Sequence, residues 1–245
     1  MHIYNFNDLD NPRLAQDAKL ADVRKNPMFY PSVTTIIKVI PNYFIDEWKA
    51  NKYIDLARQF PDESYDKIKE RAWGYAISPH GEDMKVSDFG TKAHKELEYI
   101  FNHDDRADDK WADFLIQAYD EIIDMVEPME TEALIANHEL RVAGTIDLIA
   151  KKGSKYVLLD YKFRNCEKGS GKFYDSDCYQ LSIESLFLKQ VYRLDYLPKI
   201  CSVCICNVTG ETYIKWWTQK KLDNGIENFL NARDLYFSIN NLEIK

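Results

Sequence analysis

Residues 142–163 read VAGTIDLIAKKGSKYVLLDYKF, and the fold turns on how this stretch divides. Two apolar runs flank the turn Lys151-Lys152-Gly153-Ser154-Lys155, so the stretch predicts two neighbouring strands, Val142 to Lys151 and Lys155 to Phe163. Each strand carries a carboxylate that its neighbours do not explain. Asp147 lies between Ile146 and Leu148, and Asp160 follows Val157, Leu158 and Leu159. A charge among buried residues is costly unless something pairs with it. Lys162, two positions beyond Asp160, projects from the same face of its strand. Two carboxylates and a lysine gathered by adjacent strands suit a divalent metal and a phosphate.

Working outward, residues 131–140 (TEALIANHEL) read as a third strand of a meander, and residues 111–126 (WADFLIQAYDEIIDMV) as an amphipathic helix stopped by Pro128. Before it, Ser87 to Phe101 places Phe89, Ala93, Leu97 and Ile100 on one helical stripe, with His94 and Glu98 a turn apart on an adjoining face. Downstream, residues 175–194 predict a helix, 199–208 and 211–217 strands about the Thr209-Gly210 turn, and 220–237 a final helix. In the first half, Ser32 can cap a short helix that Pro41 ends, and helices follow over 44–59 and through Tyr65, Ile68 and Trp73. Residues 1–30 read as an extended arm with one short helix near 12–24, and 74–81 as a loop. The expectation is one α+β domain: a helical N-terminal region (1–86) covering the substrate path, a catalytic core (87–217) whose mixed central sheet is flanked by helices, and a C-terminal helix (218–245).

The 245 residues are 45% hydrophobic and 13% aromatic, enough for one sizeable core. No apolar run approaches the roughly 18 residues that cross a bilayer, and the N-terminus resembles neither a signal nor a transit peptide. That points to the cytoplasm. Five scattered cysteines, an odd number, read as free thiols. A net charge of −8 excludes indiscriminate nucleic-acid binding, yet between Gly144 and Phe173 seven basic residues face three acidic ones, a local balance of +4. Lys151, Lys152, Arg164, Lys168 and Lys172 are therefore candidate DNA contacts. In the helix over 44–59, Phe44, Trp48, Ile54 and Leu56 are available for burial, while the other face mixes Lys49, Lys52 and Tyr53 with acids. That mixture serves either as a stacking platform for single-stranded bases or as an ordinary solvated face, and Trp48 and Lys49 are the candidate DNA contacts of this helix. Gly169-Ser170-Gly171-Lys172 fails as a phosphate loop: Cys166 holds the position of the first glycine, and Phe173 that of the magnesium-binding hydroxyl. A mobile basic loop beside the site is the better reading.

Phosphodiester hydrolysis needs hydroxide at neutral pH and positive charge on the developing phosphorane, and magnesium held by one or two carboxylates supplies both. Asp147 and Asp160 provide that number, and Lys162 can stabilise the phosphate or orient water. The Tyr161 side chain faces away, while its backbone carbonyl offers a further oxygen ligand. For an isolated Asp-x-Lys an ordinary ion pair is the simpler explanation, and a lone helical His94 is more often a polar-face or core residue. The combination changes the reading.

Taken together the blocks resemble the PD-(D/E)XK nuclease superfamily in its RecB-like branch: Gly-x-x-x-His from Gly90 to His94, Gly-x-x-Asp from Gly144 to Asp147, Asp/Glu-x-Lys from Asp160 to Lys162, and the helix-borne Gln180, all in the family order. Glu139 matches an acidic position ahead of the glycine. Pro31-Ser32-Val33-Thr34 and Glu47-Trp48-Lys49 are similar to the opening segment of a mitochondrial exonuclease of that branch. The resemblance implies a restriction-endonuclease-like core and a Mg2+- or Mn2+-dependent exonuclease, acting preferentially on single-stranded DNA in replication, recombination or repair. It implies His94, Asp147 and Asp160 as metal ligands and Lys162 as the catalytic lysine, with Gln180 bonding a phosphate or orienting Lys162, and with Glu98, Glu139 and Glu184 as accessory acids. A duplex-end exonuclease of a recombination system and a catalytically silent DNA-binding subunit are the alternatives. Replication or recombination proteins are the expected partners, no membrane is expected, and a bacterial or phage-infected cell is the expected setting. Glu184 departs from the family, which has a tyrosine four residues after the glutamine. Cys201, Cys204 and Cys206 superficially suit an iron–sulfur cluster, but no cysteine precedes Cys166 and strand alternation sends Cys201 and Cys204 to opposite faces, so none is expected.

Overall fold

In chain order the elements begin with β1 (Ile3–Asn5), β2 (Arg13–Leu14), α1 (Leu20–Lys25), β3 (Phe29–Pro31), α2 (Val33–Ile37), α3 (Tyr43–Gln59) and α4 (Tyr65–Trp73). There follow β4 (Tyr75–Ile77), β5 (Asp83–Lys85), α5 (Val86–His103), α6 (Asp109–Met125), β6 (Glu127–Asn137), β7 (Val142–Lys152) and β8 (Lys155–Arg164). The chain closes with α7 (Asp175–Val191), β9 (Lys199–Cys206), β10 (Thr212–Trp216) and α8 (Gln219–Ile239). The computed structural model that gives this fold describes residues 1–8, 12–41, 43–103, 108–166 and 169–242.

The central sheet runs β10-β9-β8-β7-β6. β6, β7 and β8 form an antiparallel meander, and Gly153, with φ 62°, turns β7 into β8. Parallel strands need a long crossover, and α7 provides it between β8 and β9. The helix, the three-stranded meander, the crossover helix and the parallel strand make the α+β, restriction-endonuclease-like core that the sequence predicts.

Helices cover both faces of the sheet. On one, the predicted stripe Phe89, Ala93, Leu97 and Ile100 of α5 is buried with Trp111, Leu115 and Ile122 of α6 over Leu148, Val157, Leu159 and Tyr161. On the other, Leu181, Ile183 and Phe187 of α7 and Phe229 and Phe237 of α8 pack over Ile146, Leu158 and Ile200. Ser32 caps α2, its Oγ accepting the Thr35 N–H at 3.0 Å.

Two expectations change. The described part of the first thirty-one residues holds a small antiparallel sheet, β2-β1-β3, beside the short helix α1, with Tyr4, Phe6 and Tyr30 packed against Ala143 of β7, rather than an extended arm. Strands of two or three residues leave no alternation to read. Residues 74–81 belong mostly to the β4–β5 hairpin for the same reason. Among the described residues no helix is long and apolar enough to cross a membrane.

Candidate metal centre

β7 and β8 are paired only from Leu148↔Leu159 to Lys152↔Lys155 and then part. Asp147 is the first residue beyond the last pair, and its Oδ2 accepts the Tyr161 N–H at 2.7 Å, so a side chain replaces the missing ladder bond. The two-residue alternation also breaks here: Ile146 faces α7, whereas Leu148 and Ala150 both face α5 and α6. Across the hairpin, Thr131↔Leu148 and Ala133↔Ile146 bracket Glu132, which sits opposite Asp147 with φ 49°. A non-glycine residue held in that region costs on the order of 1–3 kcal/mol, and such strain gathers at functional sites.

His94 enters from α5, its ring edge-on to Phe163 at 5.3 Å and its Nδ1 3.6 Å from Asp147 Oδ2. One donor atom each from His94, Glu132 and Asp147 lies within 4.8 Å of the others. Removal from water, then the neighbouring Asp147, Glu98 and Asp160, push the Glu132 carboxyl up to about 7, even though much of the residue is solvent-exposed. An imidazole and two crowded carboxylates fit a hard divalent cation, whose charge relieves their repulsion.

On the α7 side of the fork, Asp160 is 1% exposed, and its Oδ1 accepts the Lys162 ammonium at 2.6 Å. Asp160 Oδ2 is buried without a hydrogen-bond partner. Burial raises the Asp160 carboxyl above its ordinary range; Lys162 opposes this and Asp147 adds to it. Burial alone would lower Lys162, but Asp160, Asp147 and Asp177 outweigh it and keep the ammonium protonated. Lys162 Nζ also stands 3.5 Å from Gln180 Oε1, and Gln180 Nε2 donates to Glu184 Oε1 at 3.3 Å. The Tyr161 side chain is buried on the opposite face, as strand parity requires.

Of the residues predicted from sequence, His94 and Asp147 join the three-donor group, Glu98 acts on it electrostatically, and Asp160, Lys162 and Gln180 form the adjoining chain. Glu132 is the residue sequence reasoning missed. Glu139, chosen instead, lies exposed in the β6–β7 turn; only the register of β6 against β7 shows which glutamate faces Asp147. The basic candidates scatter. Lys151 and Lys152 lie over the rings of Tyr156 and Trp216 at the hairpin end of β7, roughly 13–17 Å along the strand from Asp147. Arg164 is not free for a phosphate: its guanidinium donates to both Asp177 oxygens at 2.8 and 2.7 Å and to the Lys172 carbonyl at 2.6 Å. Among the described residues of the loop carrying Lys172, Gly169 N–H donates to the Tyr213 hydroxyl, and a Cβ on Gly171 would stand 2.5 Å from Tyr213 Cβ. Lys168 and the side chain of Trp48 lie outside the described residues, while Lys49 is half-buried on α3. The five cysteines carry free thiols.

No family model matches this sequence, and no curated relative matches it. Among solved structures, a candidate exonuclease from Eubacterium rectale is similar at 10% identity and a TM-score of 0.41, over 62% of this chain and 69% of its own. The protein SSO0001 is similar at 12% identity and a TM-score of 0.30, over 73% and 69%. Both likenesses are too weak to assign an activity.

Proposed function

We propose that this chain is a divalent-metal-dependent deoxyribonuclease of the PD-(D/E)XK superfamily, in its RecB-like branch, working as an exonuclease with a preference for single-stranded DNA. The observation that carries the reading is the fork itself, where donor atoms of His94, Glu132 and Asp147 lie within 4.8 Å of one another beside the Asp160–Lys162 pair. His94, Glu132 and Asp147 would hold Mg2+ or Mn2+, with the free Oδ2 of Asp160 and the Tyr161 carbonyl as further oxygens. The bound ion supplies a hydroxide nucleophile at neutral pH and neutralises charge on the phosphate.

The protein's own groups do the rest. Asp147 is held in place by the Tyr161 N–H, so its second oxygen is presented at a fixed angle. Lys162 stays charged and is aimed by Asp160 and Gln180, leaving ammonium protons for a phosphate oxygen. The preference for single strands is supported by the resemblance in the motifs alone.

The test is degradation of end-labelled single-stranded and duplex DNA with Mg2+ or Mn2+. The expected result is metal-dependent loss of the single strand, abolished in Asp160→Ala. Equal degradation by that variant, or none by wild type, would remove the nuclease reading. Faster cleavage of duplex ends would replace the single-strand preference by duplex-end processing, and DNA binding without cleavage would indicate a silent subunit.

A further inference from the structure

Glu184 is the most deeply buried acid with no evident reason to be there. It is 1% exposed in the middle of α7, and its Oε2 has no hydrogen-bond partner. Oε1 accepts from Gln180 Nε2 at 3.3 Å. Room for that oxygen comes from Gly144: a Cβ built there would stand 3.1 Å from Glu184 Oε1 and 3.3 Å from Val33 Cγ2. Replacing such a group by a hydrocarbon usually costs little, so a bare structural role is a weak reason to keep a buried carboxyl.

The consequence falls on Gln180. A carboxamide has a donor end and an acceptor end, and a partner on one end fixes the other. With Nε2 given to Glu184, Oε1 turns towards Lys162, whose Nζ lies 3.5 Å away and also donates to Asp160 Oδ1 at 2.6 Å. Reversed, the amide would present an NH2 to an ammonium and lose the Lys162 contact.

We infer that Glu184 is a positioning residue for cleavage: through Gln180 it sets the direction of the Lys162 ammonium, and Gly144 is a glycine so that the Glu184 carboxyl can lie against β7. Burial first, then Asp160 and Asp147, raises the Glu184 carboxyl well above the ordinary range. The inference rests on the nuclease reading above.

The experiment compares Glu184→Leu, which keeps bulk and removes the acceptor, with Glu184→Gln, which keeps an accepting oxygen, alongside Gln180→Ala and the double variant Q180A/E184L. The expected result is a fall in kcat of about tenfold or more for E184L with KM nearly unchanged, recovery of most of that loss in E184Q, and no further loss when E184L is added to Q180A. Wild-type kinetics in E184L, or losses that multiply in the double variant, overturn the inference while leaving the nuclease reading intact. A second measurement needs neither activity nor a variant fold: the Gln180 side-chain amide protons in wild type should be protected from hydrogen exchange, and an unprotected amide overturns the inference. A wild type that cleaves no DNA overturns the nuclease reading instead, and this one with it.

Discussion

Lys162 and Arg164 project from the same face of β8, two residues apart, and each meets a buried aspartate, yet the two ion pairs are built differently. Arg164 and Asp177 use each other up. Two parallel bonds of 2.8 and 2.7 Å join them, the Tyr174 N–H takes a further place on Asp177 Oδ2 at 2.9 Å, and the Tyr174 ring lies under the guanidinium at 4.4 Å. Lys162 and Asp160 are left unfinished, with one carboxylate oxygen unpartnered and ammonium protons to spare. A pair that closes the end of a strand satisfies its own atoms, whereas a pair held for chemistry keeps some of them open. The sites differ by one turn of the strand's alternation and share an environment, so burial alone does not tell structure from function.

The largest expected effect tests the open pair. Lys162→Met should lower kcat on single-stranded DNA by about 10²–10⁴-fold while folding normally by circular dichroism; a loss below tenfold would make Lys162 a structural partner like Arg164. Next comes the closed pair. Arg164→Met strands a buried Asp177 and should cost about 3–5 kcal/mol in urea unfolding, with DNA affinity per folded molecule changing little. If affinity collapses and stability holds, Arg164 contacts DNA after all.

A third prediction concerns pH. The Glu132 carboxyl titrates near 7 in the folded protein and near 4.5 when unfolded, so folding takes up a proton. The stability this gives is complete below about 4.5 and is lost as pH rises through about 7. In EDTA the urea midpoint should therefore be lower at pH 8 than at pH 5.5, Mg2+ should restore it at pH 8, and Glu132→Gln should shrink the difference without abolishing it, because Asp160 and Glu184 are raised as well. A midpoint indifferent to metal at pH 8 would count against the site. The smallest effect belongs to Lys151→Ala with Lys152→Ala. At more than a Debye length of about 8–10 Å from Asp147, their loss should change KM by no more than about threefold.

What could be read from the sequence was whatever is local. Strands β7 and β8, the stripe of α5 and the Ser32 cap follow from periodicity and end signals, and Asp147, Asp160 and Lys162 stood out because charge interrupts apolar runs. Two kinds of information were missing. Glu132 depends on how β6 is registered against β7 and on a left-handed backbone that no short motif announces. Arg164 looked like a phosphate contact because Asp177 lies thirteen residues on, in the next helix. Similarly, β1, β2 and β3 are recognisable only once they pair with one another.

Diffraction from crystals soaked in Mn2+, recorded for the manganese anomalous signal, decides whether the fork holds a metal. One strong peak is expected there, within coordinating distance of His94, Glu132 and Asp147, and it should disappear in Asp147→Ala; a peak elsewhere, or none at the fork, would overturn the metal assignment.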